Sequence, residues 1–508
     1  MDINSLFWGK NNRLFYNTIS GLINQIVMLV CTFILPRQIL LYYGSDVNGL
    51  VSSITQFLGF IALMEIGVGA VVESALYKPL VSNNTEQIAK ILKSAQSFFN
   101  KLAIILILYV CFLLIFYPIF THSKFSYSFI IPLILALSLN SFASYYFGLT
   151  KQLLLSADQR AYIYLLLNSI VMIANTVVGV ILIRMNASIQ TVQFAIAIIL
   201  LIRPICLYFI VKKYYPLPRH IIVTEEPIKQ KWNGLAQHIS AFVLGHTDVV
   251  LLTMFSSLAN VSIYSVYYMV VAGIRKFVTI AMTGVYSWFG HLYASNDPSL
   301  RDKFVFYEWL MHAAGTILFT TAGMLIVPFV LIYTSGVNDA NYKQPLFAIL
   351  LLAAYAMYTV RLPYLTMILA AGHYKQTQHI SILEAIFNIV ASIVGVKLWG
   401  LCGVALGTLV AMTYCTTAMA YYLQNNIIRH PFRNLIKHYV VDILSVLLIF
   451  LVSNWIKSPV HSYFSWMIMA AKITLIAVMI GLFINRLFYP NEMKIFFVKL
   501  RMLIKVRV

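Results

Sequence analysis

An all-α integral membrane protein, with about fourteen transmembrane helices in two pseudo-symmetric six-helix lobes plus two extra C-terminal helices, is the fold class this sequence predicts. Three observations carry that expectation. Of 508 residues, 61% are hydrophobic and only 10% are charged, with a mean hydropathy of +0.83, whereas soluble domains are about a quarter charged. The apolar residues fall in runs of about 20, enough for a helix to cross roughly 30 Å of hydrocarbon. Alternate loops between these runs carry very unequal shares of Lys and Arg, which is the pattern that orients membrane helices.

Taken in order, the first span, 15–36, follows a mixed polar stretch with Lys10 and Arg13 and is too long for the apolar core of a cleavable signal, so it is expected to remain as a helix. The second, 47–77, contains GFIALMEIGVGAVVESALYKPL (Gly59 to Leu80), which sinks Glu65 to mid-membrane, about 20 Å from Lys78. A carboxylate at that depth costs several kcal/mol unless it meets water, a cation or a proton. Gly67, Gly69 and Ala70 leave room beside it. Glu65 is read as a functional acid lining a cavity, with a protonated structural carboxyl between helices as the alternative.

Spans follow at 102–120, 128–150, 161–183 and 189–211, the last holding Arg203 just before Pro204. The linker from Lys212 to Lys231, with three prolines and mixed charges, is the natural boundary between lobes. The second lobe then begins with 233–256, carrying His246 and Asp248, and 260–289, carrying Arg275 and Lys276 far from either end. Spans 306–334 and 345–371 follow, with Arg361 two residues before Pro363, then 377–396, 399–424, 436–456 and 462–485. A basic amphipathic tail interleaves Lys494, Lys499, Arg501, Lys505 and Arg507 with apolar residues, as a helix on an anionic leaflet does.

Weak internal similarity supports two parallel repeats: Gly21–Leu22 through Ile26 matches Gly234–Leu235 through Ile239, and Val177–Val180 matches Ile393–Val396, at offsets of 213 and 216. The expected organisation is an N-terminal lobe 1–213, a cytoplasmic linker 214–232, a C-terminal lobe 233–425, two further helices within 426–488 and a basic cytoplasmic tail 489–508. In this scheme one set of loops holds 25 cations and the other six, with five inside spans, which places both termini in the cytoplasm.

The +20 net charge is thus an orientation signal spread over loops and does not point to nucleic acid. The five cysteines, Cys31, Cys111, Cys206, Cys402 and Cys415, lie in or beside apolar segments without ligand spacing, so neither disulfides nor a metal site is expected. There is no GxxxxGK[ST] phosphate loop and no loop long enough for a soluble catalytic domain, so neither a cofactor nor enzymatic activity is expected.

Four cations at membrane depth are costly to keep for packing alone. Arg275, Lys276, Arg361 and Arg203 therefore read as the lining of an electropositive cavity for an anionic head group such as a phosphate or pyrophosphate. The alternatives are snorkelling for Arg203 and a structural pair with an acid such as Glu384 for Arg361. Asp248 is the second candidate, after Glu65, for proton or sodium coupling, with a salt bridge as its alternative. Glu73, Glu308 and Asp442 read as interfacial, and Lys472 as structural or as a groove residue.

The runs Tyr43-Gly44-Ser45-Asp46-Val47-Asn48-Gly49-Leu50, Glu65-Ile66-Gly67-Val68-Gly69-Ala70 with Leu76-Tyr77-Lys78-Pro79-Leu80, and Asp248 followed by Val261-Ser262-Ile263-Tyr264 resemble Wzx-type bacterial polysaccharide flippases. That family belongs to the multidrug, oligosaccharidyl-lipid and polysaccharide exporter superfamily, with the MATE exporters and the lipid II flippase. The resemblance implies a V-shaped pair of lobes moving an undecaprenyl-pyrophosphate-linked oligosaccharide from the inner to the outer leaflet of the bacterial plasma membrane by alternating access. It also implies membrane lipid and glycan assembly proteins as partners. A drug or metabolite exporter of the same superfamily and a membrane glycan polymerase or glycosyltransferase are the alternatives.

Overall fold

The computed structural model describes residues 12–61, 68–120, 125–216, 218, 235–428, 431–455, 460 and 462–505, and among them the regular structure is helical with no strand. The chain divides into two compact units, Met1–Phe242 with Ser257–Ser262, and Val243–Ser256 with Ile263–Val508. Unit 1 holds α1 (Asn12–Gly59), α2 (Val68–Val81), α3 (Thr85–Phe120), α4 (Tyr127–Ala143), a π-helical turn Ser144–Gly148, α5 (Leu149–Ala157), α6 (Ala161–Arg184) and α7 (Ile189–Tyr214). The ends of α8 (Leu235–Phe255) and α9 (Leu258–Ala294) are shared between the units. Unit 2 continues with α10 (Leu300–Tyr333), α11 (Pro345–Ala370), α12 (Tyr374–Asn426), α13 (Arg433–Asn454), α14 (Tyr463–Phe488) and α15 (Pro490–Lys505).

Eleven helices among the described residues are long and apolar enough to cross a membrane. Two of them, α1 with 48 residues and α12 with 53, are more than twice the length one crossing needs. Each is cut by a glycine with positive φ, Gly44 (φ 84°) and Gly400 (φ 55°), a backbone state that a side chain would strain. Both halves of these two helices, together with α8, bring the crossings to the expected fourteen. The outward surfaces are apolar, as a lipid solvent requires: Ile26 is 62% exposed and Leu108 65%. The chain is a multi-pass membrane protein.

The contact boundary differs from the expected one. It falls at Phe242, after the 214–232 linker, because Phe242 stacks edge-on against Phe60 at 5.3 Å. Ser257–Ser262 joins unit 1 because Leu258 is in its core and Asn48 Nδ2 donates to Ser262 Oγ at 2.7 Å. Residues 217 and 219–234 of the linker lie outside the described residues.

Expected loop residues before 102 are helical, since α3 starts at Thr85. Asn84 Oδ1 caps it by accepting from Gln87 N–H at 2.9 Å, Glu86 and Lys90 pair one turn apart at 2.7 Å, and Ile88, Ile91, Ala95 and Phe99 bury one stripe. The charge of that segment hid its amphipathic period. The tail forms α15 as expected, and it is anchored by Met493 and by Phe496, whose ring meets Trp309 edge-on at 6.1 Å.

The two halves of α12 cross without room for side chains. A Cβ on Gly395 would strike the backbone of Gly403, one on Gly403 would strike that of Gly395, and one on Gly407 would strike Ser392. Small residues spaced four apart allow this approach, as in other membrane helix pairs. The crossing brings Asn388 opposite Thr408, whose side chains hydrogen-bond at 3.0 Å across 20 residues of sequence. Since backbone cannot swing aside, Gly403→Ala is expected to cost about 1–3 kcal/mol, read as a lower unfolding midpoint of the detergent-solubilised protein; an unchanged midpoint would mean the two halves are not in this register.

Candidate functional site

The polar side chains of unit 2 line up along α9, α11 and α12. On α11, Tyr355, Tyr358 and Arg361 recur every three residues and so share one face. The guanidinium of Arg275, on α9, lies 4.7 Å from the ring centre of Tyr358 and 5.9 Å from that of Tyr355. Arg361 lies 4.9 Å from the same Tyr358 ring. One tyrosine thus stands between two cations.

The two arginines are not equivalent. Arg361 is 5% exposed, and its Nη1 donates to Glu384 Oε1 at 2.5 Å, with Glu384 3% exposed on α12. The structure thereby places Arg361 in the structural pair that was the alternative to a cavity-facing role. Its charge is matched inside the helix packing, where an isolated guanidinium would be untenable. Arg275 is half-buried and has no carboxylate partner among the described residues. It is held by ring faces, which attract a cation without neutralising it. Lys276 is exposed, next to Phe277 at 71% exposure, so the two adjacent cations leave α9 in different directions.

Asp248, on α8, is 2% exposed. Its Oδ2 accepts from the Tyr264 hydroxyl at 2.8 Å, and the Thr408 hydroxyl lies 3.0 and 2.9 Å from its two oxygens. The anticipated alternative, a salt bridge, is not formed among the described residues. Asn388 Nδ2 donates to Thr408, which leaves the buried Asn388 Oδ1 without a hydrogen-bond partner among the described residues. A buried carboxylate met by two hydroxyls is a group suited to exchanging a proton or holding a small hard cation. From Asp248 the polar track runs through Tyr264, Tyr268 and Tyr355 to Arg275, with ring centres 5.6 and 5.8 Å apart.

In unit 1, Arg203 is half-buried and turned towards neighbouring helices. Its Nη1 donates to Asn168 Oδ1 and its Nη2 to Ser144 Oγ, both at 3.1 Å. Asn168 Nδ2 in turn donates to Asn24 Oδ1 at 2.9 Å. Ser144 opens the π-helical turn, which packs its Gly148 against Pro204, and such turns break the regular ladder where a side chain must be re-aimed. Arg203 is therefore surrounded by neutral acceptors. Glu65 lies outside the described residues.

One group escaped the sequence reading. Glu308 is fully buried and Asp442 is only one-fifth exposed, where interfacial positions were expected. They face His438 and His312 across α10 and α13. The available signal was spacing, since Glu308 and His312 lie one turn apart, as do His438 and Asp442.

Comparison with solved structures places this architecture. The chain is similar to the lipid II flippase MurJ in an inward closed conformation, with a TM-score of 0.68 and 14% identity over 94% of this chain and 99% of that one. It is also similar to an inward-facing MATE-family multidrug transporter of the MOP superfamily, with a TM-score of 0.59 and 14% identity over 77% and 93% of the two chains. The MATE multidrug transporter DinF-BH gives a TM-score of 0.57 and 14% identity over 82% and 96%. No protein-family model and no curated protein matches the chain. The fold is thus MATE-like, shared by a flippase and by drug transporters.

Removing one partner of the Arg361–Glu384 pair strands a dry charge. Arg361→Ala is expected to destabilise by about 3–5 kcal/mol, and Arg361→Met combined with Glu384→Leu by much less. Denaturant unfolding of the three proteins in detergent tests this, and single and double variants of equal stability would mean that the pair is not isolated from water.

Proposed function

We propose that this chain is a flippase that moves a polyprenyl-pyrophosphate-linked oligosaccharide, with undecaprenol as the carrier, from the inner to the outer leaflet of the bacterial plasma membrane by ion-coupled alternating access. The observation that carries this reading is Arg275. A guanidinium fixed over Tyr355 and Tyr358, with no carboxylate among the described residues on its N–H edge, retains both its charge and its fork of donors. That fork matches a phosphate oxygen pair. Arg361, one tyrosine away, is already neutralised by Glu384, so its part in this reading is to hold Tyr358 in place. Lys276, which leaves α9 in another direction, is the second cation of the proposed set. Arg203, surrounded by neutral acceptors in unit 1, has the same chemistry.

Similarity to a lipid II flippase over nearly the whole chain supports a lipid-linked substrate. Coupling to a proton or sodium ion is assigned to Asp248, on the strength of its burial and of the Tyr264 and Thr408 hydroxyls that meet it. Glu65 remains a second candidate for that role. An exporter of cationic drugs is the competing reading, favoured by the similarity to multidrug transporters. It calls for accessible acids, whereas the acid found here is enclosed and the half-buried cations are not.

Replacing Arg275 and Lys276 together with Ala is expected to abolish outward display of lipid-linked glycan, measured by a leaflet-specific labelling assay in cells, with protein abundance unchanged. Arg275→Lys keeps the charge but loses the fork and should retain a fraction of the activity. Full display by the double Ala variant would remove these residues from the substrate path.

A further inference from the structure

Between α10, α11 and α13–α15 of unit 2 lies a cluster of ionisable side chains that head-group binding does not use. Glu308 and His312 project one turn apart from α10, followed by Thr316, and His438 and Asp442 project one turn apart from α13. Tyr364 joins from α11, and Tyr489 from the turn between α14 and α15. Glu308 is 0% exposed; its Oε1 accepts from the Tyr364 hydroxyl at 2.6 Å and its Oε2 faces His438 Nε2 at 3.6 Å. On the other side of that ring, His438 Nδ1 is 2.8 Å from the Tyr489 hydroxyl. Beside this row, His312 Nδ1 meets Asp442 Oδ2 at 2.6 Å while Thr316 donates to Asp442 Oδ1 at 2.9 Å. The two imidazoles stack in parallel with centres 4.5 Å apart, and Tyr439 meets His312 at 6.1 Å. At the outer edge, Lys437 sits over the Tyr489 ring and donates to Phe488 O, and Glu492 begins α15.

The row Glu308, His438, Tyr489 can be satisfied in two ways that differ by one proton. With Glu308 ionised, His438 carries its proton on Nε2, directed at the carboxylate, and the Tyr489 hydroxyl donates to Nδ1. With Glu308 protonated, its O–H faces Nε2 across the same 3.6 Å, which a small side-chain shift must close, and His438 carries its proton on Nδ1, directed at the Tyr489 oxygen. Passing from the first state to the second forms an N–H bond at Nδ1, breaks the one at Nε2 and forms an O–H bond on Glu308, so one proton enters and none is left over. His312 is different: an ionised Asp442 accepts only, which fixes the His312 proton on Nδ1, and its buried Nε2 finds no partner among the described residues. Two parallel imidazoles this close oppose a second positive charge.

We propose that Glu308 is a proton-binding site, loaded through Tyr489 and His438. Its ligand is the hydronium ion of the aqueous phase. The site stands apart from Arg275 and Asp248 and does not depend on what the protein transports.

Infrared difference spectra of the full-length protein in lipid nanodiscs, taken between about pH 5 and about pH 8, test this. A protonated-carboxyl band should grow towards acid, vanish in Glu308→Gln and persist in Asp248→Asn. In His438→Gln, which cannot change tautomer, its midpoint should move by at least about one pH unit, a tenfold change in proton affinity. Should Glu308→Gln fail to fold, Tyr364→Phe serves instead, since it removes a hydrogen bond to the same carboxyl and should shift the band frequency. A wild-type spectrum without the band, a band that survives Glu308→Gln, or a frequency unmoved by Tyr364→Phe would overturn the assignment.

Discussion

A charge sunk among apolar helices must be met by something, and the Arg361–Glu384 pair is how unit 2 meets its buried guanidinium. Much else in the unit leans on that pair. It ties α11 to the first half of α12, and it holds Arg361 against Tyr358, whose ring also carries Arg275. Neutralising one arginine completely while leaving its neighbour on ring faces produces a cation that is fixed in place but chemically unspent. The strength of a cation over an aromatic face, about 0.5–2 kcal/mol, is enough to orient a guanidinium and too little to compete with a phosphate dianion.

Backbone proximity within α12 does the corresponding work for Asp248. The glycine crossing at Gly395, Gly403 and Gly407 sets Asn388 against Thr408, and Thr408 then reaches the carboxylate. Without a glycine-sized gap the two halves would stand farther apart and the oxygen donors would no longer converge. Unit 1 handles its buried cation differently. Arg203 is met by amide and hydroxyl oxygens from α6 and from the π-helical turn, so its charge is solvated by protein dipoles and is not cancelled.

The polar junction around Glu308 follows the same rule, with Glu308 Oε1, both oxygens of Asp442 and Nδ1 of each histidine partnered across α10, α11, α13 and the turn before α15. It also fixes α13, which lies beyond the six-helix pattern, to α10 through Asp442, and α14 is fixed there separately: Trp309 Nε1 donates to Asn485 Oδ1 at 2.7 Å and Trp466 Nε1 to Leu325 O at 3.1 Å. In a membrane such hydrogen bonds and close packing replace the hydrophobic effect as the force between helices.

The sequence by itself determined that the chain is helical and membrane-spanning, roughly where each crossing lies, and which charges sit at membrane depth, because hydrocarbon solvent imposes a length and a polarity that composition cannot disguise. It also named Glu384 as a possible partner of Arg361, and Asp248 as an acid at membrane depth. Only the tertiary structure decided which buried charges are spent. Arg361 and Arg275 look alike in sequence, yet one faces a carboxylate and the other a tyrosine ring. Glu308 and Asp442 read as interfacial, yet helix packing buries Glu308 completely and leaves Asp442 one-fifth exposed. That outcome depends on which helix lies opposite, and periodicity along one helix carries no record of its neighbour.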